Sequence, residues 1–297
     1  MICRDFGAPY ALTLPVSGHL PLIVNSPHSG RIYPPAFREA SRLDALTLRR
    51  SEDAFVDDLF AAAPQMGAPM LAARFPRAWV DVNRERGELD PSLFDGPLPR
   101  GANSASARVL AGLGVIPRVV SDGESIYARR LPLREVEFRL ENFYDPFHTA
   151  LAALIDDTRL TFGSVLVLDC HSMPSHPGNL SGARRPDIIV GNRFGSSARQ
   201  EISATVGQLL GDLGFVVHFN RPYAGGYITE HYGAPSAGVN VLQLEINRAL
   251  YLNERSIELR SDFAAVRTRF ETFLSRLCAA LPALLPAADS RPGLAAE

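Results

Sequence analysis

Seven histidines are spread through the chain, and two of them occupy the same kind of place. His28 lies in Ser26-Pro27-His28-Ser29-Gly30, directly after the apolar run Pro21-Leu22-Ile23-Val24-Asn25. His171 lies in Asp169-Cys170-His171-Ser172-Met173, directly after Val165-Leu166-Val167-Leu168. Continuous Val and Leu bounded by Gly163 and Pro174 reads as a strand covered on both faces, so each His is expected on a loop at a strand's end. Imidazole is a common metal ligand, and Glu52 and Asp53 at the start of an expected helix offer a carboxylate. Two His and one acid make a three-ligand zinc site that keeps a position open for water, the catalytic pattern rather than the structural one. A lone His is usually a structural or surface residue, and it is the pairing that points to metal.

Other side chains could work beside such a centre. Glu245 ends the apolar run Val239-Asn240-Val241-Leu242-Gln243-Leu244, an acid where the sheet should be dry. A general base tuned by burial and a neighbouring metal fits there, as do a strand-end cap and an ion pair with Arg248. Arg74, Arg77, Asn83 and Arg84 cluster within eleven positions, and a guanidinium beside an amide is a good grip for a substrate carboxylate. Asp169 could orient a metal-bound His or cap the following loop. Cys170 next to His171 suggests a nucleophile and base, but adjacent strand residues point to opposite faces, so it reads as a buried small core residue. The segment Gly225-Gly226-Tyr227-Ile228-Thr229-Glu230-His231-Tyr232-Gly233 has hinge-like glycines with a phenol and an imidazole, as a lid, a substrate-contact loop or a plain turn would.

The elements that must position these groups alternate. Helical spacing follows Ser51, a candidate N-cap, over residues 52–60. Pro69–Ala73 and Ala78–Val82 read as short strands, 86–104 as a loop, and about 133–160 as a long helix with Val136, Leu140, Phe143, Phe147 and Leu151 on one face. A strand at 187–191, a helix at 197–213, strands at 215–218 and 239–245 and a closing helix at 257–285 complete an α/β pattern with a mostly parallel or mixed sheet. The chain has 297 residues, 46% of them hydrophobic, which suits a single domain over residues 1–297 with a Pro- and Ala-rich tail expected to fray from about 286.

Charge and motif content exclude several classes. The 30 basic residues against 32 acidic ones leave a net charge of −2, which gives nucleic acid no electrostatic footprint. Three scattered cysteines suit a reducing cytoplasm, and no apolar signal core or segment of about 18 apolar residues suggests export or a membrane partner. HExxH, paired CxxC, GxGxxG after a strand and the Walker loop are all absent, so function must come from an assembly of distant segments.

Five segments taken together resemble the N-formylglutamate amidohydrolase (N-formylglutamate deformylase) family. They are Asn25-Ser26-Pro27-His28-Ser29-Gly30, Glu52-Asp53-Ala54-Phe55-Val56-Asp57, Arg77-Ala78-Trp79-Val80-Asp81-Val82-Asn83-Arg84, Asp169-Cys170-His171-Ser172-Met173, and Gly225-Gly226-Tyr227-Ile228 with Gln243-Leu244-Glu245-Ile246-Asn247. The resemblance implies a three-layer α/β sandwich with a mixed central sheet, phosphorylase/hydrolase-like and similar to the zinc carboxypeptidases. It implies Zn2+ held by His28, His171 and an acid, with Asp53 favoured and Glu52 the alternative. The compact His-x-x-Glu of the carboxypeptidases is missing, since Arg31 stands three residues after His28. By the same resemblance Glu245 is the general base, and Arg77, Asn83, Arg84 and Tyr227 contact the substrate. The implied reaction converts N-formyl-L-glutamate to formate and L-glutamate, a late step of histidine degradation. An amidase for another N-acyl amino acid would keep zinc and Glu245 while altering the contacts around Arg77 and Tyr227. A non-catalytic ligand-binding protein on the same fold would show no metal-dependent turnover.

Overall fold

In the computed structural model, which describes residues 7–120, 123–175 and 185–285, seven strands form the central sheet. They are β1 (Tyr10–Thr13), β2 (Leu22–Ser26), β3 (Met70–Ala73), β4 (Val165–Met173), β5 (Ile188–Gly191), β6 (Val217–Phe219) and β7 (Val239–Asn247), in the spatial order β1-β3-β2-β4-β7-β5-β6. The neighbours β3, β2, β4 and β7 run parallel, as do β5 and β6. β1 lies antiparallel to β3, and β5 antiparallel to β7, so the sheet is mixed.

Strand residues alternate between faces, and both faces are covered. Ile23, Val165, Val167, Val239 and Val241 pack into a core with Trp79, Phe143, Phe147 and Leu151. Leu22, Val24, Leu166, Leu168, Cys170, Leu242, Leu244 and Ile246 pack into a second core, against Ile202, Val206, Phe270 and Phe273. The helices used below are α1 (Val56–Leu59), α2 (Leu133–Arg139), α3 (Asp145–Phe162), α4 (Gln200–Asp212), α5 (Tyr227–Tyr232) and α6 (Phe263–Leu284). α2 and α3 join through a π-helical turn, Leu140–Tyr144, and cover the first face; α4 and α6 cover the second.

Toward the C-terminal ends of the central strands the first face turns strongly polar, while the second face adds the hydroxyls of Ser26 and Ser172. Ile23 is followed on that face by Asn25, Val167 by Asp169 and His171, and Val241 by Gln243 and Glu245, all of them buried. The register sets these groups side by side, with Asn25 opposite Asp169, Asp169 opposite Gln243 and His171 opposite Glu245. The second face is otherwise apolar through Cys170, Leu244 and Ile246, so the charged groups fall on one face of the sheet edge.

Several boundaries differ from the sequence reading. His171 stands on β4 itself, because the strand continues to Met173 once its polar groups find partners on the neighbouring strands. Residues 78–82 form no strand: the Trp79 and Val80 N–H groups both donate to the Pro76 carbonyl, so the chain turns there, with Trp79 buried. Glu52 and Asp53 precede a helix of one turn, because Phe55 adopts a left-handed φ of 63° and α1 begins only at Val56. Tyr227–Tyr232, read as part of a loop, is the helix α5, and the closing helix starts at Phe263 rather than 257. The expected frayed tail from 286 lies outside the described residues.

His148 on α3 ties the outer layer to the segment that leads into the site. Its Nε2 lies 2.9 Å from the Val82 carbonyl, which can only accept, so Nε2 carries the proton and Nδ1 accepts from the Tyr232 hydroxyl at 2.8 Å. Burial lowers its pKa from 6.5 to about 4. The unfolded chain therefore takes up a second ring proton, on Nδ1, more readily than the folded one. The His148 contribution is fully present above about pH 6.5 and is lost as the pH falls toward 4, by at most about 3 kcal/mol. Denaturant titrations at pH 7 and pH 5 should show a smaller loss of stability in His148→Gln than in the wild type.

Candidate active site

Three segments bring their polar side chains over the polar end of the sheet. His28 follows β2, Asp53 precedes α1 and Asp81 ends the 76–81 turn. The Asp53 N–H donates to the His28 carbonyl, joining the first two segments, and the Asp81 N–H donates to the Val115 carbonyl. All three residues are at most 2% exposed, like His171 beneath them.

Nδ1 of His28 lies 3.2 Å and Nδ1 of His171 lies 3.0 Å from the same oxygen, Oδ2 of Asp53. The three potential ligand atoms fall within 4.8 Å of one another. The other nitrogens are held by acids: His28 Nε2 is 2.7 Å from Asp81 Oδ1, and His171 Nε2 is 3.0 Å from Asp169 Oδ2. Each Nε2 thus has an anionic acceptor, which leaves the two Nδ1 lone pairs and Asp53 Oδ2 facing one another. Three acceptors so placed need protons or a cation among them. Tetrahedral ligands about 2.0–2.1 Å from one ion are themselves about 3.3 Å apart, close to the 3.2 and 3.0 Å from the two nitrogens to Asp53 Oδ2, so the residues fit a metal.

Electrostatics bears the same mark. Burial opposes ionisation of Asp53, yet hydrogen bonds with His171 and His28 hold it well below the carboxylate range. Burial likewise opposes ionisation of Asp81, and Arg77, Arg84 and His28 outweigh it. For His171, burial works against the charged ring, but Asp169 and Asp53 raise it well above its ordinary value. The other oxygen of Asp53 accepts from Ser172 Oγ at 3.1 Å and Arg248 Nη2 at 3.3 Å, and Arg248 Nε also donates to Ser172 at 3.0 Å. Asn25 Nδ2 holds Asp169 at 2.8 Å.

Glu245 stands beside His171 in register, and burial pushes its carboxyl up to about 7. Its Oε1 accepts from Gln243 Nε2 at 2.9 Å, while Gln243 Oε1 accepts from the Gly226 N–H at 2.7 Å. These groups open on a cleft of about 460 Å³, in the size range of small-molecule sites. His28, His171, Glu245, Arg77, Asn83 and Arg84 all reach it. Asn83 Nδ2 is 3.3 Å from His171 Nε2, and Asn83 Oδ1 accepts from the Ile228 N–H at 2.8 Å. Burial lowers the pKa of Arg84; Asp81 opposes the fall, and the guanidiniums of Arg77 and Arg108 add to it.

Two sequence candidates stand elsewhere. Glu52 is turned away from the histidines, accepting from Tyr33 Oη at 2.6 Å and Arg49 Nε at 3.0 Å. Tyr227 does not line the cleft; its ring stacks on His231 at 4.9 Å, and Tyr223 lines the cleft instead. From the sequence Asp81, Gln243 and Arg108 carry no role, and an ion pair of Arg248 with Glu245 is one of three readings of that acid; in the structure Arg248 pairs with Asp53.

The sequence model of the family described as N-formylglutamate amidohydrolase matches residues 20–252. The chain belongs to this family. It is 30% identical to the N-formylglutamate deformylase of Pseudomonas aeruginosa over 267 residues, 88% of this chain and 94% of that one. The N-formylglutamate deformylase of Pseudomonas putida is also 30% identical, over 80% of this chain and 84% of its own. A crystal structure of N-formylglutamate amidohydrolase from Ralstonia eutropha superimposes with a TM-score of 0.88 at 33% identity, covering 93% of this chain and 99% of that one. As a member of the N-formylglutamate amidohydrolase family the chain is a hydrolase, and the segment matched by the family contains every residue named in the cleft. Among the described residues no helix is long and apolar enough to cross a membrane.

In this amidohydrolase Gly226 is a point of close approach, since a Cβ there would fall on the Asn83 side-chain amide. Gly226→Ala should displace Asn83 from His171 and lower stability by about 1–3 kcal/mol, as overpacking does, read as a fall in Tm.

Proposed function

We propose that this protein is a zinc-dependent amidohydrolase that cleaves N-formyl-L-glutamate to formate and L-glutamate. One observation carries the reading: His28 Nδ1, His171 Nδ1 and Asp53 Oδ2 face one another beside Glu245, in a cleft lined by arginines. Two deformylases that share 30% of its residues act, by their names, on N-formylglutamate, and this supports the choice of substrate.

His28, Asp53 and His171 would hold the ion, and two nitrogens with one carboxylate oxygen suit zinc. Bound there, the ion would supply Lewis acidity, polarising the formyl carbonyl and making water more acidic. The remaining work belongs to side chains. The Glu245 carboxylate takes a proton from water as the water oxygen bonds to the formyl carbon. It returns that proton to the amide nitrogen as the carbon–nitrogen bond breaks, so formate and the amine of L-glutamate leave and Glu245 is ionised again. A carboxyl near pH 7 is suited to both transfers, and Gln243 fixes its orientation. Arg84 takes the α-carboxylate, with Asn83 beside it. Arg77 lines the cleft but holds Asp81 at 2.8 Å, and so supports the acid that orients His28.

Formate release by the purified protein should be abolished by chelation and restored by added zinc. Glu245→Gln should lose about 10²- to 10⁴-fold in kcat while still binding zinc. Cleavage of other N-acyl amino acids alone would move the substrate, and no cleavage of any by folded, zinc-loaded protein would overturn the reading. Asp169→Asn should weaken zinc binding by about 10- to 100-fold, measured by competition with a chelating dye.

A further inference from the structure

Four arginines reach the cleft: Arg77, Arg84, Arg108 and Arg248. Two of them are committed within the protein, Arg77 to Asp81 at 2.8 Å and Arg248 to Asp53 at 3.3 Å. Among the described residues the other two have no carboxylate within hydrogen-bond distance, although Arg84 Nε and Nη1 donate to the Leu113 and Asn83 carbonyls at 2.9 and 2.8 Å. Among the described residues the carboxylate paired with Arg84 is Asp81 at 3.8 Å, and the one paired with Arg108 is Glu88, also at 3.8 Å. At that separation there is no hydrogen bond, and Asp81 is already shared by His28 and Arg77. The cleft therefore presents two guanidiniums with donors left for an anion.

One turn links the two. Arg108 stands on the short helix Ala107–Leu110, and its carbonyl accepts from the Leu113 N–H at 2.8 Å. The Leu113 carbonyl in turn accepts from Arg84 Nε at 2.9 Å. Leu113, Pro117 and Val119 line the cleft beside them, an apolar surface for a short methylene chain. The Arg108 side chain is 35% exposed and that of Arg84 13%, so Arg108 stands nearer the solvent side of the cleft.

We infer that Arg108 is a specificity-determining residue, which binds the distal carboxylate of a dicarboxylic N-formyl amino acid whose α-carboxylate is held by Arg84. This rests on the amidohydrolase reading of the cleft. A guanidinium placed for a carboxylate discriminates against the amide, which carries no charge and offers one acceptor oxygen in place of two.

The test compares N-formyl-L-glutamate with N-formyl-L-glutamine, which differ only at that distal group. Arg108→Gln should raise KM for N-formyl-L-glutamate by about 10- to 100-fold, with the loss in KM rather than kcat, and should shrink the preference for it by a similar factor; Arg108→Lys should recover part of it. A wild-type preference retained in Arg108→Gln would overturn the inference. Calorimetric binding of L-glutamate and L-glutamine to the zinc-loaded protein reads the same contact without turnover. Tighter binding of L-glutamate that is lost in Arg108→Gln supports the inference even if no formyl compound is cleaved, in which case only the reading of the reaction fails. Equal binding of the two amino acids by the wild type overturns the inference even if formate is released.

Discussion

Four carboxylates are buried at one end of this sheet, and none of them could stay there unpaired. Asp53, Asp81, Asp169 and Glu245 are all at most 9% exposed. An isolated anion in such surroundings would take up a proton or unfold its neighbourhood. Each is instead met by a specific partner: Asp53 by both histidines and Arg248, Asp81 by His28 and Arg77, Asp169 by His171 and Asn25, Glu245 by Gln243. The partners come from every segment that crosses the polar edge. Packing those segments together is the same event as neutralising the acids, so the loops cannot be placed independently of one another. Glu245 is the least well compensated of the four, and it is the one whose proton is loosely held near neutrality.

The strands were readable because their period shows directly in the residues. Val167, Asp169 and His171 share one face of β4 while Leu166, Leu168 and Cys170 share the other, and this alternation already argued against Cys170 acting with its neighbour. What remained hidden depends on tertiary contacts and chain reversals. Asp53 and Glu52 are adjacent and chemically alike, and what separates them is tertiary: the Asp53 N–H is joined to the His28 carbonyl, while Glu52 is taken by Tyr33 and Arg49. Asp81 sits in a run whose buried Trp79 and Val80 read equally well as a strand. Arg248 follows Glu245 by three positions and so looks like its partner. β7 nevertheless runs on to Asn247, and the 3-10 turn Arg248–Leu250 sends the guanidinium across to Asp53, 195 residues away in sequence.

The helical layers matter to the site through a few anchors rather than through bulk alone. His148 on α3 reaches the Val82 carbonyl, and Tyr144, in the π-helical turn, donates to the carbonyl of Arg84 at 2.8 Å. The 76–84 segment has no ladder of its own and is held in this way by side chains from the layer above. That is how a stretch without regular structure can present Asp81, Asn83 and Arg84 in fixed positions.

The change from apolar to strongly polar along one face of β2, β4 and β7 divides the cleft by the kind of element that supplies it. Groups at its buried end stand on strands, or on loops locked by several ionic contacts, and a substitution there disturbs several partners at once. Among the described residues the turn carrying Arg108 and Leu113 meets this network through Arg84, and the chain just beyond it through the Val115 carbonyl, which accepts from the Asp81 N–H. Evolution, or a protein engineer seeking an enzyme for a different acylated amino acid, can therefore exchange that turn while leaving the reacting centre intact.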